Sequence, residues 1–217
     1  MDGTITALDL PLEAMRDDTK EYYISKGLPP ELLEPADGIS SSTAKARDYF
    51  LSNGCSLEDW IIMEKEVDII LNKHEGFAAE SAVPLPGALE VVGKIRDYGY
   101  LTAILTNNGR SSVDQIMTQI PLAEHFVIIQ TRHESPRPKP YPDGILKIVE
   151  DLGVKLEEAV YIGDALIDGA AATRAGIEFW GVVTGETSAD ALVEAGASHV
   201  FNSLEEVLEE VIARKSN

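Results

Sequence analysis

The sequence predicts an α/β protein: a Rossmann-like parallel sheet of alternating strands and helices, with an all-α insert near the N-terminus. Three observations predict it. From about residue 101 to the end, short β-branched apolar runs alternate with amphipathic helical stretches, the pattern of βαβ units whose strands are covered on both faces. Residues 10–84 instead show helical periodicity interrupted at Pro29-Pro30, Pro35 and Gly54, with no convincing strand. The length of 217 residues, 44% hydrophobic and 25% charged, suits one α/β unit carrying a smaller one. The expected division is a core at 1–9 and 85–217 and a helical unit at 10–84.

Strands are expected at 101–106, 126–130, 159–163 and 179–184, with a short one at 199–201. Between them, helices are expected to begin near Ser111, Pro142, Leu166 and Ala189. For the last helix, Ser203 and Glu206 have capping-box spacing, and Leu204, Val207, Leu208, Val211 and Ile212 share one face. Inside the insert, the best helix starts at a Ser56 cap. It carries Leu57, Trp60, Ile61, Val67, Ile70 and Leu71 at intervals of three or four, and should end near Gly76. Pro84, Pro86 and Gly87 then mark the return to the core, followed by a helix bearing Leu89, Val92 and Ile95.

Net charge is -19, from 18 Lys plus Arg against 37 Asp plus Glu, which opposes nucleic acid and anionic membrane surfaces as partners. Most of that acidity reads as a solvated surface. No apolar run is long enough to span a bilayer and the first residues lack a signal-peptide pattern, so a cytoplasmic location is the expectation. Cys55, the only cysteine, sits beside Gly54 and Ser56 in a loop-like context with no basic neighbours to activate a thiolate.

In open parallel sheets, ligands bind beyond the carboxyl ends of the strands, so polar residues directly after an apolar run are the ones to inspect. Thr106-Asn107-Asn108-Gly109 follows one run, and Gly163-Asp164 follows another, with Asp168 on the next helical turn. Arg137-Pro138-Lys139-Pro140 forms a proline-flanked lysine loop. Asp164 and Asp168, four apart, could both approach one hard cation, but acids also decorate helix N-termini for their dipole. Lys139 alone could be a solvated lysine, and Thr106 and Asn108-Gly109 could serve a turn.

Taken in order, Asp2-Gly3-Thr4, Thr106, Lys139 and Gly163-Asp164 with Asp168 resemble the four motifs of the haloacid dehalogenase superfamily, across nearly the whole chain. Residues 10–84 fall where relatives with a helical cap carry it, and the overall pattern is similar to that of phosphoglycolate phosphatases. The resemblance implies a Mg2+-dependent phosphomonoester hydrolase that acts through an aspartyl phosphate on a small phosphorylated metabolite, as a monomer or homodimer. It implies Asp2 as general acid and base. Thr106, with Asn107 and Asn108, would bind phosphoryl oxygens, and Lys139 would neutralise them. Asp2, Asp164 and Asp168 would hold Mg2+.

The family's first motif is Asp-x-Asp-Gly-Thr, and Met1 would stand at x. The nucleophilic aspartate and the apolar strand before it are therefore not among these residues, and the expectation is a start several residues upstream. A β-phosphoglucomutase-like phosphotransferase and an inactive relative that binds Mg2+ and a phosphorylated ligand are the alternatives. Dehalogenation is disfavoured, because its halide leaving group needs no proton and Asp2 would be idle. Candidate specificity residues in the helical unit are Tyr22, Tyr23, Lys45, Arg47 and Trp60; Arg110 could reach phosphate, and His133 and Glu134 could line a rim.

Overall fold

The computed structural model describes residues 1–215. Along the chain, β1 (Thr6–Ala7) is followed by α1 (Leu12–Ser25), α2 (Ile39–Ser52) and α3 (Leu57–Glu80). Next come β2 (Val83–Pro84), α4 (Ala88–Asp97), β3 (Ala103–Leu105), α5 (Arg110–Met117), α6 (Leu122–His125) and β4 (Ile128–Gln130). The remainder is α7 (Asp143–Leu152), β5 (Val160–Gly163), α8 (Leu166–Ala175), β6 (Glu178–Val182), α9 (Ala189–Glu194), β7 (His199–Phe201) and α10 (Leu204–Lys215). Two compact units result: Asp9–Glu80, and Met1–Leu8 with Ser81–Asn217. Among the described residues, no helix is long and apolar enough to cross a membrane.

The helical unit is built on the packing of α1, α2 and α3 around Met15, Tyr23, Leu28, Ala46, Trp60, Val67 and Leu71. Tyr23 and Trp60 stack at 5.9 Å between ring centroids and are almost fully buried, so they hold this unit's own core. Tyr22 donates to Glu66 at 2.7 Å, and Lys45 pairs with Asp37 at 2.7 Å and Glu34 at 3.2 Å. Arg47 lies half-buried on α2, and Cys55 lies in the turn between α2 and α3. Ser56 Oγ accepts from the Asp59 N–H at 3.0 Å, as its cap position predicts. The helix does not end at Gly76, however. It continues to Glu80, because Ala78 and Ala79 extend its buried face and outweigh a glycine cost of roughly 1 kcal/mol.

In the α/β unit β3, β4 and β5 are shorter than their apolar runs, β6 covers 178–182 instead of 179–184, and β7 spans the expected 199–201. β3 pairs in parallel with β4, and β5, β6 and β7 pair in parallel in that order. Among the described residues no strand joins β3 to β5, so the parallel strands form a two-stranded and a three-stranded piece. Both pieces contribute to one apolar core, in which Leu105 joins Ile145, Ile148, Ala171, Ala172, Phe179 and Leu192. Fully burying each large member contributes roughly 1.5–3 kcal/mol. Val83–Pro84 falls within the stretch expected to be helical. It pairs antiparallel with Thr6–Ala7, which brings the N-terminal segment back to the core.

The cap of α10 departs from the expected reciprocal box. The Glu206 N–H reaches Ser203 Oγ at 3.4 Å, but the Glu206 carboxylate accepts from the N–H of Asn202, at 2.8 Å, instead of that of Ser203. Turning back one residue further lets it also take the Asn202 side-chain amide at 3.0 Å. At the other end, Arg214 grips Glu178 with two bonds of 2.7 and 2.8 Å, tying α10 to the start of β6. Arg214 holds the Glu178 carboxyl down to about 2 from its ordinary 4.5. A lowered folded-state value contributes stability above pH 4.5 that is lost as the pH falls toward 2. Glu178→Gln is therefore expected to flatten the pH dependence of thermal unfolding across that window, by about 1 kcal/mol after solvent screening. An unchanged acid profile would show that the pair adds no stability.

Candidate active site

Four chain segments meet at the carboxyl ends of β3 and β5. The first is a tight N-terminal turn: Met1 O accepts the N–H groups of Ile5 at 2.8 Å and Thr6 at 3.0 Å. Asp2 Oδ1 accepts from the N–H of Gly3 at 3.1 Å and of Leu8 at 2.8 Å. That leaves Oδ2 of a largely desolvated carboxylate without a donor among the described residues. Burial raises the Asp2 pKa above its ordinary value, more than its two backbone bonds lower it.

Asp164, just past β5, accepts from Thr4 Oγ1 at 2.6 Å, and its other oxygen lies against backbone. A Cβ placed on Gly3 or on Gly185 would collide with Asp164 Oδ2, so the carboxylate fills a slot that two glycines leave open. Thr184 Oγ1 donates to Gly3 O at 2.5 Å and fastens the loop after β6 to the same turn. Burial pushes the Asp164 carboxyl up, with a smaller contribution in the same direction from Asp168.

Lys139 and Asp168 are buried, 6% and 4% exposed, and pair at 2.6 Å. Asp168 Oδ1 also accepts from the Tyr161 hydroxyl at 3.0 Å, and Oδ2 caps α8 by accepting the Ala165 N–H at 3.1 Å. Burial, the largest influence, would raise the Asp168 pKa, but the Lys139 charge and hydrogen bond, the Met1 amino group and the Ala165 N–H together hold the carboxyl below its ordinary value. For Lys139, burial works against the charge and Asp168 more than restores it. The pair is thus doubly ionised, and both Asp168 oxygens are engaged.

Thr106 ends β3, donating its N–H to Gln130 O at 3.0 Å and accepting the Asn108 N–H on Oγ1 at 3.1 Å. The Asn107 side chain clamps the Lys139 main chain, giving Nδ2 to its carbonyl at 2.9 Å and taking its N–H at 3.0 Å. Asn107 therefore works through Lys139, and only its backbone N–H could meet an anion. Asn108 is 8% exposed, and its Nδ2 donates to nothing among the described residues, a buried donor in need of an acceptor.

Asp2, Asp164, Asp168 and Lys139 all lie within electrostatic reach of the Met1 amino group. Among the described residues, however, no three His, Cys, Asp or Glu side chains group as a metal site. Asp168 is drawn away by Lys139. Asp164, desolvated and with one oxygen lacking a donor, fits a small hard cation. So does the Asp2 main-chain oxygen, which no described donor occupies. Arg110 is paired with the Glu134 carboxylate, not directed at a phosphate. Sequence reasoning missed Tyr161, Thr184 and Gly185. Thr184 ends the expected run at 179–184 and Gly185 directly follows it, where the rule about strand ends would have found them.

A family model for haloacid dehalogenase-like hydrolases matches residues 7–182. Phosphoglycolate phosphatase of Escherichia coli (strain K12) is 23% identical over 156 residues, covering 70% of this chain and 62% of that relative. The chain thus spans less than two thirds of the length of the curated relatives it matches. Among solved structures, a hydrolase from Pseudomonas syringae superposes with a TM-score of 0.65 at 20% identity, covering 98% of this chain and 95% of that one. A HAD family hydrolase from Deinococcus radiodurans R1, with bound phosphate and sodium, gives 0.59 at 22%, covering 97% and 93%. These structural likenesses show the fold.

Proposed function

The chain belongs to the haloacid dehalogenase-like hydrolase family, and from that premise we propose that it serves a Mg2+-dependent phosphomonoester hydrolase of the phosphoglycolate phosphatase type, acting on a small phosphorylated metabolite. The observation that carries this reading is the buried, doubly charged Lys139–Asp168 pair within reach of the desolvated Asp164, which in turn lies within reach of Asp2. A fixed cation in such a place suits a phosphoryl group, and carboxylates with raised pKa values suit proton transfer and cation binding.

In this reading Lys139 draws in the phosphoryl oxygens, while Thr106 Oγ1, the Asn107 N–H and the orphaned Asn108 Nδ2 donate to them. Asp2, protonated more readily than an exposed carboxyl, gives its proton to the departing alkoxide and later takes one from the attacking water. Mg2+, held by Asp164 and the Asp2 main-chain oxygen, supplies charge neutralisation and Lewis-acid polarisation when bound. Without it, the carboxylates would repel a phosphate dianion. In this reading Asp168, expected as a third metal ligand, instead orients Lys139 through their 2.6 Å pair. The reaction also needs a nucleophilic carboxylate two positions ahead of Asp2, which the 217 residues do not include. With a net charge of -19, nucleic acid and membranes are not partners; the protein works in the cytoplasm as a monomer or homodimer.

The test is a phosphomonoester panel that includes phosphoglycolate, assayed with and without Mg2+. It is run on this chain and on the chain preceded by an apolar strand ending in Asp. Mg2+-dependent phosphate release by the extended form is expected, lost on Asp164→Asn. Isomerisation of a sugar phosphate without phosphate release points to a mutase. No turnover of any substrate by either form overturns the reading.

A further inference from the structure

The two loops that carry the anion-binding groups are bolted together by side chains that have no part in the chemistry above. Arg110 sits at the first turn of α5, four residues after Thr106. Its Nε and Nη2 meet the two oxygens of Glu134 at 3.0 and 2.9 Å, and Nη2 also donates to Ile129 O at 2.7 Å. Glu134 in turn accepts the Thr131 N–H at 2.7 Å and hydroxyl at 2.6 Å, closing the loop after β4 on itself. The same loop reaches back to the first one. Arg132 Nη1 donates to Asn107 O at 2.8 Å, the Arg132 N–H donates to Asn108 O at 3.3 Å, and His133 Nδ1 accepts the Arg110 N–H at 3.0 Å.

From this network we infer that Arg110 and Glu134 are a positioning clasp, which holds the loop at 106–110 so that Thr106 Oγ1 and Asn108 Nδ2 converge with Lys139 on one anion. For what the loop binds, the inference rests on the phosphomonoester reading; for how the loop is held, it rests on the contacts alone. Two features make the clasp more than a surface ion pair. It is bidentate, which fixes orientation as well as distance. Glu134 is also held by three donors besides the Nε of Arg110, so burial, which would raise its pKa, is overcome and the carboxyl stays down at about 2. A donor displaced by as little as 1 Å loses much of its hold on a transferring group. Asn107 passes the constraint onward, because its side chain grips the Lys139 backbone.

The experiment uses the full chain with Arg110→Met, Glu134→Gln and the double variant. Both side chains are about one third exposed, so each single variant should fold. Amide exchange at 107–110 is expected to accelerate at least tenfold in each variant, with the amides of the β5–β6–β7 piece unchanged. The dissociation constant for inorganic phosphate, measured calorimetrically, is expected to rise at least tenfold, and the double variant should be no worse than the weaker single one. Unchanged exchange at 107–110 overturns the clasp; so does faster exchange with unchanged phosphate affinity, or a loss that follows global unfolding. If the parent chain binds no phosphate, the phosphomonoester reading fails instead, and the exchange data still decide whether the clasp holds the loop.

Discussion

Lys139→Met is expected to destabilise the protein by about 3–5 kcal/mol, the cost of leaving a buried carboxylate without its partner. Asp168 is 4% exposed and would keep the Tyr161 hydroxyl, the Ala165 N–H and the nearby Met1 amino group in place of a directly paired cation. For a chain of this size the loss corresponds to a fall in thermal midpoint of about 10 °C. Lys139→Met with Asp168→Asn is the informative companion. The amide removes the charge; its oxygen can keep the Ala165 N–H while its NH2 donates to the Tyr161 hydroxyl oxygen, so at least half of the lost stability should return. If the double variant is no more stable than the single one, the uncompensated carboxylate is not the source of the cost. Both variants should also lose phosphate binding, since neither carries the cation; a folded double variant with undiminished phosphate affinity would remove Lys139 from the site.

Gly3→Ala comes next in expected size, at about 2–5 kcal/mol, from two separable causes. Gly3 has φ of +70°, where a side chain costs about 1–2 kcal/mol. Its new Cβ would also collide with the Asp164 carboxylate, an overpacking worth about 1–3 kcal/mol. Combining Gly3→Ala with Asp164→Ala removes the collision and leaves the backbone cost, so the two substitutions should interact strongly in a double-mutant cycle. Additive effects in thermal unfolding would mean that the turn and the carboxylate are not packed as described.

The alternation of β-branched runs and amphipathic helices after residue 101 is dictated by burial on both faces of a parallel sheet, so the order of elements could be read directly. Strand lengths could not. The apolar run at 101–106 extends beyond β3 because residue type marks a run whether or not it is buried, and Leu101 lies 55% exposed. Likewise, a glycine such as Gly76 signals a helix end only where no neighbouring apolar face pays to continue.

For the site, residue order points to Asp2, Thr106, Lys139, Asp164 and Asp168 as candidates only through the family resemblance, since each residue alone also suits a turn, a cap or a solvated surface. Their division of labour was decided only in three dimensions. Asp164 and Asp168 look equivalent on paper, four residues apart in one acidic stretch. Folding buries one beside Lys139 and Tyr161 and the other in a slot between two glycines. Desolvation makes an unpaired charge costly and a paired one tolerable, so one becomes the partner of Lys139 while the other takes the Thr4 hydroxyl. A sequence fixes which charges exist; which of them face each other across 29 residues is a matter of packing alone.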